Sequence, residues 1–331
     1  MEKKSDHILI INSLRGIAAS AVCFYHFICT TKDYITTPFL LDAFHYGQKG
    51  VQLFFIISGI VIPLSLINSG YSLSNWKNFM LKRFVRIEPP YLVAVAIGVF
   101  YLIARNYIPG TVAVDLTPSI KEIILHLGYL IPFFENVKWI NEVFWTLAVE
   151  FQYYLALSIL FPLLLTNKIW TRIVFYTLFI GAGFMGTSYE FFPHWAPYFL
   201  AGIVYTLYRK KRISHTEFWT MAAVLTGVIY HLLGGVDLGI AIVGLLLIHY
   251  LTNFKTKVTL FLGKISYSLY LLHSIIGAAF INYLSHRFTA PYQKFLVISL
   301  GFLISVFAAY LLYRFVEKPT HNYAKKIGQK A

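Results

Sequence analysis

Ten apolar runs, each near the length a helix needs to cross hydrocarbon, govern how this chain can fold. That crossing takes roughly 20 apolar residues. Runs of this kind fall at about 8–29, 47–68, 90–107, 143–165, 171–188, 194–208, 217–233, 237–253, 263–284 and 293–315. Hydrophobic residues make up 58% of the 331 and charged residues 13%, about half the usual charged share. A soluble globule of this composition would leave broad apolar patches in water. Disorder, collagen and a secreted disulfide scaffold are excluded on the same grounds. The expected fold class is an all-α polytopic membrane protein of about ten transmembrane helices. A single integral membrane domain is expected over residues 1–331, with no soluble domain expected before or after it. The segment from Ile120 to Phe134 is too short and interrupted to cross, and is expected as an interfacial or re-entrant helix between spans three and four.

Charge sets the expected orientation. The net charge of +14 lies in short clusters between the apolar runs rather than along one basic face, so a nucleic-acid partner is not expected. With the N-terminus in the cytoplasm and ten alternating spans, twenty of the 28 lysines and arginines fall inside and seven outside, and Arg15 lies within a span. Cytoplasmic loops of multi-pass proteins carry such an excess, so both termini are expected in the cytoplasm and the chain in the plasma (cell inner) membrane. The first run carries Arg15 and His26 and has no small-residue cleavage site, unlike a removable signal peptide. Cys23 and Cys29 are six residues apart, a spacing that suits neither a metal knuckle nor a redox pair. No metal site and no permanently bound cofactor is expected.

Ionisable side chains within spans are costly and mark function by default. Arg15 and His26, eleven residues apart, lie on one helical face about 16 Å apart along the axis, and Asn12 joins the same stripe. Ala18, Ala19, Ser20 and Ala21 between them keep this helix slim enough for close approach by a neighbour or a ligand. The bland alternative is a snorkelling arginine and an interfacial histidine. Glu150, about two turns into the fourth span, lies at a depth suited to orienting His26 as a general base; a structural ion pair, for instance with Arg15, is the competing reading. Arg83 and Arg86 share a face three residues apart and suit a phosphate or pyrophosphate, on a short helix expected to end at Pro89. Positive-inside anchoring would also account for them. His273 reads first as structural, and Glu317 as a partner for a loop arginine.

Six segments, in order, resemble the acyltransferase-3 family of integral membrane acyltransferases. Leu14-Arg15-Gly16-Ile17-Ala18 followed by His26 resembles its opening motif, and Gly50 through Gly59 its second-helix signature. Arg83 and Arg86-Ile87 with Pro89 and Tyr91 resemble its arginine-rich loop, and Trp145 through Glu150 to Tyr154 its fourth segment. Gly263 through His273 and Glu317-Lys318-Pro319 resemble the last two. Asn12 and Gln52 stand where an aspartate is common. The resemblance implies transfer of an acyl group, most often acetyl, from cytoplasmic acyl-CoA to a hydroxyl of a surface carbohydrate such as O-antigen or exopolysaccharide. Acetyl-CoA would be a co-substrate. His26 and Glu150 would be catalytic, Arg15, Arg83 and Arg86 would bind the acyl-CoA, and Asn12, Tyr91, Trp145, His273 and Glu317 would support them. The rival from another class is a proton-coupled transporter or flippase for glycan or lipid-linked intermediates.

Overall fold

The computed structural model describes residues 9–107, 116–166 and 168–328. Among these residues every regular element is helical. In chain order they are α1 (Leu9–Cys29), α2 (Pro38–His45), α3 (Gly50–Asn68), α4 (Trp76–Arg105), α5 (Ile120–Leu127), α6 (Trp145–Leu160), α7 (Pro162–Leu165) and α8 (Ile169–Gly183). They continue as α9 (Phe192–Arg209), α10 (His215–Leu233), α11 (Gly235–Tyr250), α12 (Lys257–Leu272), α13 (Ala279–Ser285), α14 (Pro291–Leu312) and α15 (Lys318–Lys326).

Each of the ten apolar runs coincides with a helix. Five helical stretches are long and apolar enough to cross a membrane: Pro38–Asn68, Leu73–Arg105, Glu142–Leu160, Lys257–Ser285 and Pro291–Lys326. Two more, Ile169–Gly183 and Gly235–Tyr250, are apolar but shorter. The chain is therefore a multi-pass helical membrane protein. The Ile120–Phe134 segment forms the eight-residue α5 and a 3-10 turn, Ile131–Phe133, far short of a crossing.

Local chemistry sets several of the boundaries. Ser119 caps α5, accepting from the Glu122 backbone N–H while the Glu122 carboxylate accepts from the Ser119 N–H, a reciprocal capping box. Thr256 forms the same kind of box with Thr259 at α12, and Ser214 caps α10 by accepting from the Glu217 backbone N–H. Pro193 and Pro291 occupy the first turns of α9 and α14, where a missing N–H costs nothing.

The helix carrying Arg83 and Arg86 does not end at Pro89. It runs without interruption from Trp76 to Arg105, with Pro89 and Pro90 inside. Pro89 and Pro90 leave the carbonyls of Val85 and Arg86 without their helical donors, a loss that membrane helices tolerate where packing makes up for it; one residue further on, the Tyr267 hydroxyl donates to the Ile87 carbonyl at 2.9 Å. The two arginines thus belong to the same rigid element as the third span.

α1 lies at the centre of the bundle, packed chiefly on α12 and also on α3 and α14. α3 in turn packs chiefly on α9. Two segments depart from the α-helical register: His273–Ala278 between α12 and α13, and Tyr313–Glu317 between α14 and α15, are π-helical. Such segments are rare and frequently sit at functional sites. One begins with His273 and the other ends with Glu317.

Candidate functional site

Among the described residues three cavities touch α1, one at Arg15 and two at His26, the smaller of the His26 pair lined also by Thr30, Glu122 and Ser274. The first, at Arg15, spans about 920 Å³ including open solvent and is lined by Arg15, Arg86, Glu150, Tyr154, Tyr267 and Glu317, among others. Arg15 comes from early in α1, Arg86 from the first half of α4, and Glu317 from the end of the π-helical segment that follows α14. The second is larger, about 1670 Å³ including open solvent, and is lined by His26, Lys49, Gln52, Trp145, Tyr189 and Trp195, among others. His26 lies at the end of α1, Gln52 at the start of α3, Trp145 at the start of α6 and Trp195 near the start of α9. Helices of alternating direction place those particular ends together.

The first cavity concentrates charge. Glu150 accepts from the Ser58 hydroxyl at 3.0 Å and from the Tyr154 hydroxyl. Glu317 accepts from the Ser268 hydroxyl at 2.6 Å. The ion pairs among the described residues are Lys49–Asp237 and Arg172–Glu217, so neither Arg15 nor Arg86 has a carboxylate within bonding distance. Two unpaired guanidinium groups therefore line a chamber whose carboxylates are held by hydroxyls. Forked donors of this kind match phosphate or carboxylate.

Arg83 departs from the clamp expected of it. It is only 8% exposed, its Nε has no hydrogen-bond partner, and its guanidinium lies over the rings of Phe79 and Tyr154 at 5.3 and 5.7 Å. It lines a separate cleft with Glu88, Tyr129, Glu150 and Tyr154. Glu150 and Tyr154 line both spaces, so they partition the two arginines although these share a face of α4.

The expected pairing of His26 with Glu150 does not form. Trp145 lines the His26 cavity, but Glu150 lies five residues further along α6, about 7.5 Å deeper, and faces the Arg15 cavity. The neighbour of His26 is instead His273, with ring centroids 5.1 Å apart. His273 is fully buried. Its Nδ1 lies 2.8 Å from the Tyr270 carbonyl and 3.2 Å from that of Leu269, and its Nε2 lies 3.2 Å from Ser274 Oγ. Carbonyls only accept, so Nδ1 carries the proton.

The remaining expected residues are also placed. Trp145 stacks on Trp195 with centroids 5.7 Å apart and meets Tyr189 edge-on, forming an aromatic wall of the second cavity. Tyr91 is fully buried, stacks on Tyr129 and donates to the His126 carbonyl at 3.1 Å. It secures α5 rather than lining either cavity. Asn12 lies where α1 crosses α12, its carbonyl so close to Gly263 that a Cβ there would sit 2.0 Å away. His126 is structural: Nδ1 donates to the Glu122 carbonyl and Nε2 accepts from the Ile140 N–H.

Sequence reasoning missed Asp237. Its carboxylate takes Lys49 Nζ at 2.6 Å, Gln52 Nε2 at 3.1 Å and the Tyr198 hydroxyl at 2.9 Å. The carboxylate missing at position 52 is thus supplied from α11. A lone acid at the edge of the 237–253 run was the available signal. Trp139, whose indole N–H donates to Glu190 beside the second cavity, gave none.

Over 96% of its length the chain is 26% identical to a Staphylococcus aureus (strain COL) protein provisionally named an O-acetyltransferase, of which it spans 58%. It is also 26% identical over 80% of its length to a protein of Acidianus two-tailed virus provisionally named an acetyltransferase, 82% of which is covered. No solved structure gives a significant match. The family model for the acyltransferase domain matches residues 8–314, nearly every helix described above, and the chain belongs to the acyltransferase-3 family.

Proposed function

We propose that this protein transfers an acyl group, most simply acetyl, from acyl-CoA in the Arg15 cavity to a hydroxyl of a surface carbohydrate in the His26 cavity. The carrying observation is that α1 connects both chambers, with Arg15 in one and His26 in the other, eleven residues or about 16 Å apart. In this reading ten helices cross the plasma (cell inner) membrane with both termini in the cytoplasm, so the Arg15 cavity opens on the cytoplasmic side. Arg15 and Arg86 hold the phosphates of CoA, and Arg83 acts on Tyr154 and Glu150 from behind. The thin pantetheine arm follows α1 and brings the thioester toward His26.

His26 then accepts the proton of the acceptor hydroxyl as its oxygen attacks the thioester carbonyl. The tetrahedral intermediate collapses with cleavage of the C–S bond, and the proton passes from His26 to the departing CoA thiolate. General-base assistance supplies about 10²–10⁴-fold, and positioning supplies much of the remainder. Glu150 serves the donor side, holding Tyr154 and balancing Arg15. Family membership weighs against the transporter reading.

Two measurements test this. Acetyl-CoA should raise the unfolding temperature of the purified protein in detergent, and an Arg15→Ala, Arg86→Ala double variant should lose that response. Surface glycans of host cells lacking the protein should lose an acyl mass by mass spectrometry. No stabilisation together with no lost mass sinks the proposal.

A further inference from the structure

α15 begins one residue after Glu317, which lines the Arg15 cavity, and it lies beyond residue 314, where the family match ends. Both α15 and the π-helical segment before it pack on α4. The far end is placed as well: a Cβ on Gly328, just past α15, would lie 3.2 Å from Asn78 Nδ2 in the first turn of α4. Glu317 shares the cavity with Arg86 of α4. α15 therefore runs antiparallel to the first half of α4, leading away from the cavity.

Its sequence, Lys318-Pro319-Thr320-His321-Asn322-Tyr323-Ala324-Lys325-Lys326, sets three basic residues on one face. With 3.6 residues per turn, positions 318, 321 and 325 fall within about 60° of one another, whereas 326 is turned about 140° from 321. The half-buried His321 lies within electrostatic reach of Arg86, Lys325, Arg15 and Arg83. Among the described residues no carboxylate forms an ion pair with Arg15, Arg86, His321 or Lys325, and Glu317 accepts from Ser268. Positive charge thus extends from the cavity at Arg86 to Lys325 on the surface, and a cleft lined by one sign of charge gathers ligands of the other.

We propose that Lys325, on the face it shares with His321, receives the 3′-phosphate of CoA, so that the site distinguishes CoA from its 3′-dephospho form. This deepens the acyl-transfer reading above and rests on it. With Arg15 and Arg86 on the pyrophosphate, the 3′-phosphate stands one ribose further out. Lys325 lies one helical turn, about 6 Å, past His321, and its flexible stem carries an ammonium that meets phosphate as a point charge. Both partners are exposed to water, which limits the preference to about three- to tenfold in affinity, and salt weakens it.

The test titrates full-length protein in detergent at low salt with acetyl-CoA or 3′-dephospho-acetyl-CoA and reads affinity by calorimetry. Wild type should bind acetyl-CoA about three- to tenfold more tightly. Lys325→Gln should bind the two donors equally, at the wild-type affinity for the dephospho form. Lys326→Gln removes the same charge from the same helix but off that face, and should keep the preference. Both lysines are exposed, so neither change disturbs packing. Equal affinities in wild type, a preference that survives Lys325→Gln, or one that both variants lose alike overturns the proposal while leaving the acyl-transfer reading intact. An anionic lipid headgroup is the other source of phosphate. Thermal stabilisation in phosphatidylglycerol over phosphatidylcholine nanodiscs, lost only in Lys325→Gln while wild type binds both donors equally, assigns the lysine to lipid instead. Failure of wild type to bind either donor overturns the donor reading, and this proposal with it.

Discussion

His26 and His273 stand ring to ring, 5.1 Å between centroids, one on the central helix and the other where α12 passes into a π-helical turn. Their surroundings differ. His26 is half-buried and lines the larger cavity, whereas His273 is fully buried and bonded at both nitrogens.

Substitution should therefore separate rate from stability. His26→Ala is expected to cut acyl transfer about 10²–10⁴-fold with little change in unfolding temperature. His273→Ala leaves buried partners unmet and should cost about 1–3 kcal/mol of stability. Wild-type turnover in His26→Ala would remove the proposed base. Paired thermal and turnover measurements on both variants decide the matter.

Glu150 is bonded to Ser58 and Tyr154 and faces away from His26. The pH–rate profile of Glu150→Gln should accordingly overlay that of wild type after scaling, while its KM for acyl-CoA changes. A displaced profile would restore a direct coupling between this carboxylate and the histidine.

α3 and α9 cross at a reciprocal pair of glycines. A Cβ on Gly59 would lie 2.3 Å from the Phe199 carbonyl oxygen, and one on Gly202 would lie 2.3 Å from that of Ile56. Backbone must move to admit a methyl at either place, so Gly59→Ala should destabilise by about 1–3 kcal/mol. Gly181, in the last turn of α8 with nothing within 4 Å of its Cβ direction, is the control. There alanine should be neutral or stabilising by up to about 1 kcal/mol. Thermal unfolding in detergent compares the two.

Glu122 lies outside the spans and holds the loop after α5. Its carboxylate accepts from the backbone N–H groups of Ser119 and Lys138, at 2.8 and 2.9 Å. Burial alone would push its pKa up, but these bonds and the Ser119 hydroxyl outweigh it and hold the group below its ordinary value. A depressed folded-state pKa means the stabilisation is present above the unfolded value, about 4.3 for glutamate, and is lost as pH falls through the folded value. Hydrogen exchange at Lys138 should therefore quicken below about pH 4 relative to Glu122→Gln measured at the same pH. Equal protection in the two proteins across that range would contradict this role.

The helices were legible in the sequence because hydrocarbon imposes a length and the runs report it. The stripe of Arg15 and His26 was legible because both residues share one helix, where spacing dictates direction. Contacts between helices were not. Glu150 was expected at His26 because both lie near the same depth from their ends, but depth leaves the facing undetermined, and Ser58 and Tyr154 took the carboxylate. Gln52 and Asp237 are 185 residues apart, and no local pattern couples them. The continuation of α4 through Pro89 and Pro90 was not legible because the local preference of proline to end a helix yields to packing in a bundle. The π-helical register at His273 likewise leaves no mark on a 3.6-residue period.

Val51 of α3 and Tyr270 of α12 line both the Arg15 cavity and the His26 cavity, with Phe54 and Phe55 beside them on the arginine side. The wall common to the two hollows is thus largely apolar, and such a wall offers a hydrated ion nothing to replace its water. Under the acyl-transfer reading, that wall would let the membrane remain an electrical insulator around the reaction.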